Sequence, residues 1–163
     1  MKRKLILMGR SGAGKTTLTQ ALRGETIAYE KTQSIAYDNF LIDTPGEYME
    51  NHELGAALCL YAYEADVVGL LIAADEDFSL FPPCITCLVN REVIGIVTKI
   101  DKADPKRAEN WLRLSGCETV FHVNSRTGEG IPELLNHLET NKNNTQNHKN
   151  KEKPKINVDF LLL

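Results

Sequence analysis

Gly9-Arg10-Ser11-Gly12-Ala13-Gly14-Lys15-Thr16, followed by Thr17, is the stretch whose reading decides the fold. It meets G-x-x-x-x-G-K-[ST] at each fixed position. It stands between an apolar run, Lys4 to Met8, and a segment in which Leu18, Ala21 and Leu22 fall on one helical face. A strand, a glycine turn and a helix in that order make a phosphate cradle. Gly9, Gly12, Ala13 and Gly14 let backbone N–H groups turn inward, and the start of the helix adds partial positive charge. Lys15 is the candidate for the β- and γ-phosphates and for catalysis, and the Thr16 hydroxyl is a candidate Mg²⁺ ligand. Arg10, Ser11 and Thr17 complete the nucleotide-binding candidates of this segment.

Outward from the loop, strand and helix patterns alternate. Ser34 to Tyr37 and Asn39 to Ile42 read as two short strands of an antiparallel hairpin, turning at Asp38-Asn39. Asp43-Thr44-Pro45-Gly46 follows, where the Asp43 carboxylate can hold Mg²⁺ and the Gly46 N–H can sense a γ-phosphate. Apolar residues at intervals of three and four predict a helix over His52 to Ala65. Val67 to Ala74 and Val93 to Val97 are aliphatic enough to be strands buried on both faces, and they are expected at the centre of the sheet. Between them Pro82-Pro83 breaks Asp77 to Asn90, so that crossover is expected to be irregular. Asp104-Pro105 can cap a helix to about Ser115, ended by Gly116; Thr119 to Val123 and Ile131 to Leu138 supply a last strand and helix. This order predicts an α/β fold in three layers, a P-loop NTPase with a mostly parallel sheet and helices on both faces.

Thr98-Lys99-Ile100-Asp101 closes an aliphatic strand and resembles the guanine-reading N-K-x-D motif of Ras-like GTPases. The resemblance gives Asp101 the hydrogen bonds to guanine N1–H and its exocyclic amine, and the Lys99 stem a place over the ring. Thr98 stands where the family has Asn, and a hydroxyl cannot make every contact of an amide. Asn124 to Ile131 resembles the base-edge loop S-A-K-x-x-x-G-I/V, with Ser125 and Arg126 at the Ser-Ala positions. All four motifs follow strands in sequence, which brings them to the crevice where open α/β sheets bind ligands.

The phosphate loop, Lys31-Thr32-Gln33, I-D-T-P-G-E-Y and T-K-I-D together resemble the EutP/PduV ethanolamine- and propanediol-utilization proteins over about residues 3 to 138. That resemblance implies a Ras-like fold, association with bacterial microcompartment systems, and a link to acetate kinase activity. With Asp43 only 34 positions after Gly9 the first switch is shorter than in Ras-like proteins, and Thr32 is its candidate Mg²⁺ ligand. Glu47 stands where Ras carries the Gln that orients water, so it is the second catalytic candidate and hydrolysis should be slow or partner-dependent.

The chain's 163 residues fit one domain, read as 1–139, followed by a polar tail 140–155 and an apolar end 156–163. Residues 140–163 carry about +3 of a total formal charge of −3, so the domain is acidic and nucleic-acid binding is not expected. No apolar run is long enough for a membrane span, and the start has no signal-peptide pattern, so a cytoplasmic protein is expected. The four Cys do not form a disulfide framework; Cys84-Ile85-Thr86-Cys87 is one C-x-x-C, too few ligands for zinc unless a second chain supplies more.

Three functions fit these residues. The first is Mg²⁺-dependent GTP/GDP binding with slow hydrolysis, a switch that meets microcompartment shell or enzyme partners through its switch loops or tail. The second is phosphoryl transfer between ATP and acetate, which requires a carboxylate-binding cation near the γ-phosphate and has only Arg10 and Arg126 as candidates. The third is a non-hydrolysing binding module of a microcompartment.

Overall fold

A computed structural model describes residues 2–27, 36–37, 40–44 and 62–139. Thr32, Gly46, Glu47, most of the expected 52–65 helix, the Asp38-Asn39 turn and both tail segments lie outside the described residues, as does the side chain of Asp43. Among the described residues six strands form one sheet: β1 (Leu5–Met8), β2 (Ala36–Tyr37), β3 (Leu41–Asp43), β4 (Val67–Ala73), β5 (Glu92–Thr98) and β6 (Thr119–His122). Their spatial order is β2-β3-β1-β4-β5-β6, with β2 antiparallel to β3 and every other pair parallel. The expected hairpin pairing is present, but β1 and β4 form the middle of the sheet and β5 lies one place further out. Two-sided burial gave β5 its aliphatic run, and an inner strand beside the edge meets that condition as well as a central one.

Alternation along the strands sorts the core into two layers. Leu5, Leu7, Leu71, Ile94 and Ile96 pack with Leu18 and Leu22 of α1 (Lys15–Arg23) and with Leu134 and Leu138 of α3 (Ile131–Glu139). Ile6, Met8, Leu70, Ile72 and Val97 face the other way, onto Ala108 and Leu112 of α2 (Lys106–Leu114) and onto Phe81 and Ile85 of the β4–β5 crossover. The three-layer expectation therefore holds. Asp104 Oδ1 accepts the Lys106 N–H at 3.0 Å at the start of α2, as its sequence predicted. Within the crossover one 3-10 turn, Ile85–Leu88, stands in place of a longer helix.

At the opposite end of the sheet from the strand C-termini, Arg3, Glu92 and His137 join β1, β5 and α3. Arg3 pairs with the Glu92 carboxylate and donates to the His137 carbonyl at 2.8 Å, while His137 Nε2 lies 2.8 Å from Glu92 Oε1. Partial burial pushes the Glu92 carboxyl up, but the bond and charge of Arg3, with His137, outweigh it and hold the group below its ordinary 4.5. A carboxyl lowered by folding stabilises above its unfolded pKa and loses that contribution as pH falls through the folded one. Stability should therefore decline as pH drops below about 4.5, and Glu92→Gln should make that decline shallower while lowering stability at neutral pH. Urea midpoints across that range measure both slopes.

Candidate nucleotide site

Parallel pairing collects the loops after β1, β3, β4, β5 and β6 at one end of the sheet. In the phosphate loop Gly14 adopts φ +93°, a left-handed conformation in which a β-carbon is strained, immediately before α1. Gly9 is required for a different reason: a β-carbon there would lie 2.8 Å from the Leu71 carbonyl oxygen, so only glycine lets the loop leave β1 this close to β4. Lys15 is buried, and its ammonium donates to the carbonyls of Gly9 at 2.7 Å and Arg10 at 2.9 Å. These bonds hold a cation across the mouth of the loop.

Beside the loop, Leu7 pairs with Asp43, the last residue of β3. Thr44 is buried and its hydroxyl donates to the Leu7 carbonyl at 2.7 Å, fixing the residue after β3 to the end of β1. That role was absent from the sequence reading, although the D-T pair held its signal. Thr16 stands in the first turn of α1 and Asp43 is the last residue of β3; hydroxyl and carboxylate oxygens are the hard donors Mg²⁺ takes. They are the candidate ligands for such an ion, which would neutralise charge on phosphate oxygens.

On the other flank, a cavity of about 250 Å³ is lined by Gly14 and Thr17 of the first motif, Thr98, Lys99 and Asp101 of the third, and Ser125 and Arg126 of the fourth. Asp75, Lys102 and Asn124 complete its wall. Lys99 is left-handed at φ +53° and its ammonium lies 3.8 Å from Asp75 Oδ1. Asn124 is buried and its Oδ1 accepts the N–H groups of Arg126 at 3.1 Å and Thr127 at 3.4 Å, an Asx turn that shapes the base-edge loop. Asp75 was not anticipated. Its signal was the acidic run Asp75-Glu76-Asp77 at a strand end.

Thr98 turns away from an amide's role at the base: its buried hydroxyl donates to the Ala13 carbonyl at 2.5 Å and ties β5 to the phosphate loop. Thr98→Ala should destabilise the fold by about 1–2 kcal/mol by leaving that carbonyl without a donor, and Thr98→Ser should recover most of the loss. Urea unfolding of the three proteins checks this.

Of the two candidate cations for a carboxylate substrate, Arg126 lines the cavity of about 250 Å³ and Arg10 stacks over Phe78, 4.6 Å from its centroid. Glu76 lies close enough to feel Arg10 and Lys99. Burial nevertheless raises its carboxyl, against the Ala73 N–H bond and those two charges. A second cleft, about 150 Å³ and lined by Ala62, Tyr63 and Leu88 to Arg91, lies at the N-terminal ends of β4 and β5 and touches none of the motif residues.

Comparison with known proteins agrees with this geometry. A family model described as "Ethanolamine utilisation - propanediol utilisation" matches residues 1–140. The propanediol utilization protein PduV of Citrobacter freundii is 44% identical over 136 residues, 82% of this chain and 91% of that protein. "Probable acetate kinase EutP" of Escherichia coli K12 is 30% identical over 141 residues, 83% of this chain and 89% of that one. GTPase Era of Mycolicibacterium smegmatis is 31% identical, and the chain covers 54% of its length. Among solved structures, the elongation factor SelB of Methanococcus maripaludis, in complex with the GTP analogue GppNHp, superposes with a TM-score of 0.57 at 23% identity. It covers 93% of this chain and 35% of its own, a likeness of fold. With the match running from residue 1 through the last described helix, the chain belongs to the ethanolamine-utilisation and propanediol-utilisation family, PduV-EutP.

Proposed function

We propose that the chain binds a guanine nucleotide with Mg²⁺ and hydrolyses GTP slowly, acting as a switch. The observation that carries this reading is the shared wall of the base-side cavity, where Gly14 and Thr17 of the phosphate loop meet Lys99 and Asp101. A nucleotide with its base against Asp101 and its phosphates on the loop spans one continuous surface. The Lys15 ammonium then exchanges the Gly9 and Arg10 carbonyls for phosphate oxygens, a swap between charge-assisted bonds that needs little motion. Thr16 and Asp43 hold the metal, Thr32 and Gly46 answer to the γ-phosphate, and Glu47 sets the hydrolysis rate. The PduV and EutP relatives support a working place beside the microcompartment systems of propanediol or ethanolamine utilisation.

Calorimetry of the full chain with GDP, GTP, ADP and ATP in Mg²⁺ tests the proposal. Guanine preference with slow single-turnover hydrolysis, altered in Glu47→Gln, is expected. Preference for ATP would overturn it and favour acetate-dependent phosphoryl transfer, and tight GTP binding without turnover would leave a binding module.

A further inference from the structure

We propose that Cys84 and Cys87 form a reversible thiol–disulfide couple on the β4–β5 crossover, a redox site separate from the nucleotide crevice. Both side chains are exposed, whereas Cys117 is buried and its thiol is pushed up to about 12 by desolvation. Proline at 82 and 83 keeps this stretch from forming a longer helix, and the chain turns instead. The Cys87 N–H donates to the Cys84 carbonyl at 3.0 Å, closing a four-residue turn. A turn of this kind holds its first and last Cα atoms within about 7 Å, which overlaps the roughly 4.4–6.8 Å that a disulfide spans.

The turn is anchored on both sides. Ile85, between the cysteines, is buried in the core with Phe81 and Leu112. The Cys84 N–H donates to the Leu114 carbonyl at 3.0 Å and the Thr86 N–H to the Ser115 carbonyl at 3.2 Å, at the end of α2. The Thr86 hydroxyl fills the space over Gly116, where a β-carbon would stand 2.0 Å from it. Cys84 also has φ +59°, a conformation that residues with a β-carbon seldom adopt and that glycine or asparagine would relax. Cys84 thus stands where a less strained residue would close the turn. Once one of these thiols is held in a mixed disulfide, the other, fixed this close, displaces it faster than a second molecule does. Chelation is the weaker use of the pair, since the described residues contain no cluster of three or more metal ligands.

The oxidant is a low-molecular-weight disulfide. One cysteine thiolate attacks a sulfur of that disulfide, its S–S bond breaks and one thiolate leaves. The other cysteine thiolate then attacks the mixed disulfide and displaces the second. The protein gives up two electrons and two protons, and the oxidant becomes two thiols.

The test equilibrates the full chain with reduced and oxidised glutathione at graded ratios, then traps free thiols by alkylation and maps the peptides by mass. The expected result is a Cys84–Cys87 link, lighter by two hydrogen atoms, that titrates with the ratio and reverses with excess reduced glutathione. Cys84→Ser and Cys87→Ser should each end as a mixed disulfide with glutathione on the remaining cysteine, with circular dichroism showing both variants folded. Free, alkylatable Cys84 and Cys87 in the wild-type chain at the most oxidising ratio would overturn the proposal. So would a disulfide to another cysteine or another chain, or stoichiometric zinc that protects both thiols.

Discussion

Lys15→Met should bind Mg²⁺-nucleotide roughly 30- to 150-fold more weakly than the wild type, a loss of about 2–3 kcal/mol. The ammonium is buried at the mouth of the loop and donates to two of its carbonyls. Methionine fills similar volume without a charge, so the variant separates the cation from the space it occupies. Phosphate oxygens would then face the loop N–H groups and the metal without the side-chain charge at the β- and γ-positions. The loss should be larger for the triphosphate than for the diphosphate, because Lys15 reaches both phosphates. Calorimetry with both nucleotides measures the difference, and a thermal melt of the unliganded proteins separates it from any change in folding. Equal affinity in the variant would remove Lys15 from the binding account.

Asp101→Asn should weaken GDP and GTP by roughly 100-fold and leave adenine nucleotides within a few-fold of their wild-type affinity. Two hydrogen bonds from guanine to a carboxylate together contribute about 3 kcal/mol, and an amide group offers a donor where guanine also presents one. A xanthine nucleotide, with a carbonyl in place of the exocyclic amine, should regain affinity in the variant. The Asp101 carboxylate is partly exposed and lies 3.8 Å from the Lys102 ammonium. That surface pair contributes little to stability, so the change should read almost wholly in nucleotide selectivity. Competition against a fluorescent GDP analogue measures the ratio, and parallel losses for guanine and adenine would sink the assignment of Asp101 to the base.

The phosphate loop could be read from eight consecutive residues because its cradle is made of contiguous backbone: glycine at 12 and 14 licenses the turn, and the helix that follows begins at Lys15. The apolar run before the loop was likewise legible as a strand, and in the fold its period of two sends Leu5 and Leu7 to one face and Ile6 and Met8 to the other. The cap of α2 by Asp104, the irregular 77–90 crossover and the antiparallel pairing of β2 with β3 followed from local signals in the same way.

Other features depended on neighbours distant in the chain. Strand composition reported burial but not rank in the sheet, so β5 was placed too near the centre. Thr98 looked like an imperfect base reader, yet its hydroxyl bonds to Ala13, 85 residues away. Thr44 reaches the carbonyl of Leu7, and Asp75 meets Lys99, through strand pairings that spacing along the chain does not encode. Local sequence sets which backbone turns and helices can form, because each rests on contacts within a few residues. Which buried hydroxyl meets which carbonyl is decided only when the parallel strands bring separate loops to one end of the sheet.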